Sequence, residues 1–188
     1  ELGQTLQSQS MYPLIRLLFP QNDNVRALGN FKHQKIVECY KGRIKEEQIN
    51  AYKKQKNSGW VENLYTSLKP TENSSRRSTT TLGEVNDVLD EINLAPAVYN
   101  EKSGRKTKDT LFKEKVVNKM SAIEQKWLIK IILGTKDGGL HISGLGEPLW
   151  NRLAPGAKQV LSTTADLGMV CNYIARMSSP KFRPLFED

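Results

Sequence analysis

The stretch Ser121–Leu133, SAIEQKWLIKIIL, decides how this chain is read. Ile123, Trp127, Leu128, Ile131 and Ile132 recur at the spacing of one face of a 3.6-residue helix. Ser121 and Glu124 stand in the S-x-x-E relation of a capping box, in which hydroxyl and carboxylate satisfy each other's backbone amides. Gly134 follows where a left-handed stop is wanted. A Trp with Ile and Leu on one face requires a deep core, so the other helices are expected to pack around this one.

Outward from that helix, the chain reads as helix after helix. Tyr12–Phe19 is apolar almost all round and carries Pro13 in its first turn, with Ser10 as a possible cap and Pro20 as its end. Phe31–Tyr40 places Ile36, Val37 and Tyr40 inward, before the Lys41-Gly42-Arg43 break. Ile44–Lys56 reads as a surface helix anchored by Ile49 and Tyr52. Trp60, Leu64 and Leu68 start another helix that ends at Pro70. Thr81 and Glu84 form a second capping box, before a stripe of Leu82, Val85, Val88, Leu89 and Ile92. After a glycine-rich connection at 135–146 come short helices from Pro148 and Ala157, and a longer one from Asp166 with Leu167, Val170, Cys171 and Ile174 inward. No segment alternates with period two. The expected fold is all-α, a single multi-helix domain over residues 11–178, between a polar segment 1–10 and a linker 179–188.

With 28 Lys and Arg against 20 Asp and Glu, the net charge is +8, which favours a polyanionic partner. The densest positive segment is 101–120, where Lys102, Arg105, Lys106, Lys108, Lys113, Lys115 and Lys119 face Glu101, Asp109 and Glu114. No apolar run approaches the ~20 residues of a membrane span, and no signal peptide is visible. The chain starts at Glu1 rather than Met and reads as a fragment. Cys39 and Cys171 sit at apolar helical positions and read as reduced core thiols. The sequon Asn73-Ser74-Ser75 reads as chance.

Catalytic signals are absent. Gly144-Leu145-Gly146 lacks the third glycine and the preceding strand of a dinucleotide loop, and there is no GxxxxGK[ST] or G-x-S-x-G. His33 and His141 have no partners at metal-ligand spacing, so no metal is assigned. The residues alone describe a basic, all-helical module. It is either a nucleic-acid binder or a non-catalytic protein-interaction module whose basic face is solvated.

The motifs, taken together, resemble the N-terminal DNA-binding domain of eukaryotic ATP-dependent DNA ligases, most closely the DNA ligase IV branch. Glu124–Lys130, EQKWLIK, matches the family's core helix; Val85–Asp90, VNDVLD, matches its VNDLLD; Tyr12–Gln21, YPLIRLLFPQ, matches its start. Thr163–Cys171, TTADLGMVC, is similar to its TTDLxxVC helix. Phe182-Arg183-Pro184-Leu185 is similar to the segment leading into the adenylation domain.

The resemblance implies sequence-independent gripping of nicked or broken duplex DNA, in non-homologous end joining in the nucleus. It implies ATP and Mg2+ for the parent enzyme and no cofactor for this fragment. Its implied partners are duplex DNA and the parent's adenylation and OB domains, the fragment itself being a monomer off the membrane. The family's adenylated lysine lies in K-x-D-G, in the next domain. Lys136-Asp137-Gly138 lacks the intervening residue, so this chain is expected to bind and not ligate. The family's DNA-contacting L-[KR]-[IL]-G turn appears as Leu140-His141-Ile142-Ser143, preceded by an insertion containing Lys136. The expected DNA contacts are therefore Lys130, Lys136, His141, Ser143 and Gly144 around that turn, with Gly59 and Lys32 at other element ends. Trp127 and Trp60 are expected in the core.

Overall fold

A computed structural model describes residues 11–26, 31–55, 59–69, 80–97, 105–134 and 146–178. Ten α-helices and no strands occur among them. In chain order they are α1 (Tyr12–Leu18), α2 (His33–Glu38), α3 (Glu46–Lys54), α4 (Gly59–Leu68), α5 (Leu82–Leu94), α6 (Lys108–Phe112), α7 (Ala122–Leu133), α8 (Gly146–Leu153), α9 (Ala157–Thr164) and α10 (Leu167–Met177). The described residues gather into two compact units, one from Glu1–Val25 with Ile142–Asp188, the other from Arg26–His141.

The Arg26–His141 unit holds α2 to α7. Its core includes Ile36, Val37, Tyr40, Ile49, Trp60, Leu64, Leu89, Ile92, Phe112 and Ile129. The expected caps form. Ser121 Oγ accepts from the Glu124 amide at 3.4 Å while the Ser121 amide donates to Glu124 Oε2 at 2.8 Å. The Thr81–Glu84 pair does the same at 3.2 and 2.6 Å. Gly134 ends α7 with φ +58°, the left-handed region where glycine carries no Cβ penalty.

The orientation of α7 differs from the sequence expectation. Its inward face is Ala122, Gln125, Leu128, Ile129, Ile132 and Leu133, while Ile123 is 43% and Trp127 46% exposed. The helix is rotated because Gln125 is a core residue. It accepts from the buried Tyr40 hydroxyl at 2.9 Å and donates to the Met120 carbonyl at 2.6 Å. With its polar ends satisfied, its stem packs like a hydrophobe. Trp60 is buried as expected, and Trp127 is not. The basic segment also contributes to the core: α6 runs into a π-helical turn, Lys113–Val117, that buries Phe112, Val116 and Val117.

The second unit packs α1 against α10 and α9 against both α8 and α10. Ile15, Phe19, Trp150, Val170, Cys171 and Ile174 form its core, with the Phe19 and Trp150 rings 4.6 Å apart. Leu14 is exposed and Arg16 buried, so α1 is not apolar on every inward position. Arg16 Nε donates to Asp23 Oδ2 at 2.7 Å, which gives that buried charge its counterion. Asp166 caps α10 by accepting from the amides of Gly168 and Met169 at 2.7 and 3.2 Å.

Candidate nucleic-acid interface

Three of the seven expected DNA contacts lie among the described residues: Lys32, Gly59 and Lys130. Lys136, His141, Ser143 and Gly144 lie outside them. Lys32 is the exposed residue that precedes α2, and Gly59 is the first residue of α4. The rings of their chain neighbours, His33 and Trp60, lie 5.5 Å apart, which puts the starts of α2 and α4 side by side. His33 is buried, its Nε2 3.3 Å from the Tyr52 carbonyl oxygen.

Lys130 joins the same region through α4. It sits in the last turn of α7, where a cation complements the helix dipole. Its ammonium donates to Glu62 Oε1 at 2.7 Å, and Lys126 pairs with Glu62 Oε2 at the same distance. Both ammoniums lie over the Trp127 indole, 5.3 Å from the ring centre for Lys130 and 5.5 Å for Lys126. Lys126 also lies 4.9 Å from the Tyr65 ring. The two lysines hold the Glu62 carboxyl below its ordinary range, Lys126 contributing most. Sequence reasoning missed this cluster because it assigned Trp127 to the core and did not pair α4 with α7. Lysines one turn apart with a Trp between them were the available signal.

The basic segment is more neutralised than its composition suggests. Lys106 pairs with Glu114 at 2.5 Å and Lys115 pairs with Glu91. Lys108 is buried. A cleft of about 330 Å³ lies beside Cys39, lined by Glu38, Lys53, Asp109 and Lys113 among others. Burial pushes the Cys39 thiol up to about 12, which leaves it a poor nucleophile. Among the described residues no group of three or more His, Cys, Asp or Glu is placed to hold a metal ion. No helix among them is long and apolar enough to cross a membrane.

The family described as DNA ligase N terminus matches residues 2–142. The chain belongs to that family. The match spans the whole α4–α7 cluster, including all of the EQKWLIK helix. Among curated proteins, the chain is 30% identical to the DNA ligase 4 of Cryptococcus neoformans over 175 residues, covering 86% of this chain and 15% of that protein. It is 28% identical to the DNA ligase 4 of Gallus gallus over 184 residues, covering 89% of this chain and 18% of that protein. For the Dictyostelium discoideum DNA ligase 4 the identity is 27% over 188 residues, with 94% and 16% covered. The chain thus spans less than a fifth of the length of each of these relatives.

The structure gives the family's sequence signatures their physical roles. In EQKWLIK, Glu124 caps the helix, Gln125 braces Tyr40, Leu128 and Ile129 are core, and Lys126, Trp127 and Lys130 make the surface cluster. In VNDVLD, Asn86 and Asp90 receive the buried Arg26: Nε donates to Asp90 Oδ1 at 2.9 Å and Nη2 to Asn86 Oδ1 at 2.9 Å. That motif is an internal brace.

Proposed function

We propose that this chain is the DNA-gripping N-terminal domain of a DNA ligase 4-like, ATP-dependent ligase that repairs double-strand breaks by non-homologous end joining in the nucleus. The observation that carries the reading is the DNA ligase N terminus match over residues 2–142. The net charge of +8 supports it. Binding is independent of sequence and is made to phosphates, which lysines, hydroxyls and backbone amides at element ends contact without reading bases. Residues 11–178 make up the binding domain and 179–188 lead towards the adenylation domain. Lys130, Lys136, His141, Ser143 and Gly144 make the contacts around the turn that follows α7 in the sequence, with Gly59 and Lys32 at other element ends. Adenylation with ATP and Mg2+ belongs to the rest of the parent, so this chain binds DNA as a monomer and does not ligate.

Titration of a labelled nicked duplex across a salt series tests the reading. Binding at about micromolar Kd, with a log–log slope of about −0.9 per neutralised phosphate, is the expected result. Absence of binding at low salt would leave the protein-interaction alternative in its place.

A further inference from the structure

Lys126 and Lys130, one turn apart on α7, converge on a single carboxylate. Each Glu62 oxygen takes one ammonium at 2.7 Å. The burial is inverted relative to an ordinary surface ion pair. The lysine side chains are only 15% and 18% exposed, whereas Glu62 is 46% exposed. Elsewhere on the same unit Glu38 also bridges two lysines, but there Lys35 and Lys53 are 59% and 28% exposed. The ammoniums of Lys126 and Lys130 lie instead over the Trp127 ring, and that of Lys126 also over the Tyr65 ring. Cation–π contact favours the ammoniums in place and shelters them from water.

Two sheltered cations that face outward through one exposed carboxylate form an anion site whose occupant is the protein's own side chain. A phosphodiester presents two non-bridging oxygens, as a carboxylate presents two, and so can take one ammonium on each. Glu62 lies on the outside, so its side chain can swing away without unpacking either lysine. Two positive charges against one negative leave a surplus that favours exchange for an incoming polyanion. The half-exposed Trp127 ring gives the sugar next to that phosphate an apolar surface.

Resting on the DNA-binding reading above, we infer that Lys126 and Lys130, seated on Trp127, form a backbone-phosphate site for duplex DNA, and that Glu62 fills this site in the free domain and yields it on binding. Glu62 is thereby an internal competitor that holds the lysines in place and tempers affinity.

The test uses the 188-residue chain and a fluorescein-labelled nicked duplex. Of the three tryptophans, Trp60 and Trp150 are 0% and 3% exposed and Trp127 is 46% exposed, so acrylamide quenching of intrinsic fluorescence reports on Trp127. Saturating duplex is expected to remove that quenching. Glu62→Gln is expected to bind about five-fold tighter, since one competing charge is gone. The double variant Lys126→Ala with Lys130→Ala is expected to bind more weakly and to lose about 0.9 from the salt slope. Unchanged or weaker binding by a Glu62→Gln chain of wild-type helicity would overturn the inference and leave DNA binding standing. So would a Trp127 that stays fully quenchable in the saturated complex, a measurement that needs no variant. No duplex binding by the wild-type chain would overturn both.

Discussion

The hydroxyl of Tyr40 donates to Oε1 of Gln125 at 2.9 Å, in the buried centre of the Arg26–His141 unit. The Gln125 amide continues the chain of bonds to the Met120 carbonyl at 2.6 Å. The end of α2, the turn before α7 and α7 itself are therefore tied through one side chain. Burial holds the Tyr40 hydroxyl protonated, far above its ordinary range, so it is a permanent donor that must find an acceptor. Gln125→Leu conserves shape but strands that donor and a carbonyl, at a cost of about 2–4 kcal/mol. Adding Tyr40→Phe removes the stranded hydroxyl and is expected to recover part of the loss. Urea unfolding followed by circular dichroism checks both; a fully stable Gln125→Leu chain contradicts the brace.

Arg26 poses the same question with a full charge. Its side chain is almost wholly buried and its Nε reaches Asp90 Oδ1 at 2.9 Å. Asp90→Ala leaves the guanidinium without that countercharge, and the expected loss is about 2–4 kcal/mol. Asp87, an exposed acid in the same VNDVLD motif, is the control: Asp87→Ala is expected to stay within about 0.5 kcal/mol of wild type. The comparison separates a motif kept for packing from one kept for its acidic surface, and thermal melts of the two variants decide it.

Legibility in the sequence followed the range of the interactions. Both capping boxes, the Gly134 stop and the inward stripe of α10 are set by residues three or four apart, and all could be read directly. The inward face of α7 could not. EQKWLIKIIL offers two overlapping apolar arcs, and the true one contains a glutamine whose hydroxyl partner, Tyr40, lies 85 residues away in the chain. Of the face expected from the sequence, Leu128 and Ile132 are buried, but Ile123 and Trp127 are exposed. Phe112, Val116 and Val117 were hidden differently: a π-helical turn breaks the 3.6 period, and lysines surround them. At the candidate interface, Lys130 was legible as a cation at a helix end. That its charge is shared with Lys126 over Trp127, and held by Glu62, required the pairing of α4 with α7.

The two cysteines sit in different units and both are buried. Burial pushes Cys39 up to about 12 and Cys171 up to about 11. At pH 8 the thiolate fraction is therefore about one in a thousand or less, and each sulfur is covered as well. Reaction with Ellman's reagent is expected to show no fast thiol in the native chain and two in denaturant. Because each thiol reports on its own unit, a urea series will show one sulfur released before the other if the units unfold separately. A single step releasing both fits cooperative unfolding; a fast native thiol contradicts the burial.

The pH dependence of stability carries the signature of the Glu62 cluster. Lys126 first, and Lys130 after it, hold the Glu62 carboxyl below the ordinary value of 4.5. A carboxylate whose folded pKa is depressed binds its proton more readily in the unfolded chain. Its contribution to stability is therefore fully present above about 4.5, and is lost as the pH falls through the lower folded pKa. Glu38, between Lys53 and Lys35, is shifted in the same direction and adds to the acid loss. The wild-type chain is expected to lose melting temperature steadily below pH 4.5, and Glu62→Gln to lose less over that interval because its site no longer titrates. Above pH 5 the same substitution removes that charge pair, so wild type is expected to be the more stable chain there, and the two chains converge at low pH, where Glu62 is protonated. Melting curves from pH 3 to pH 7 check the sign: a Glu62→Gln chain with the same acid slope as wild type would show that the two lysines do not hold the carboxylate in solution.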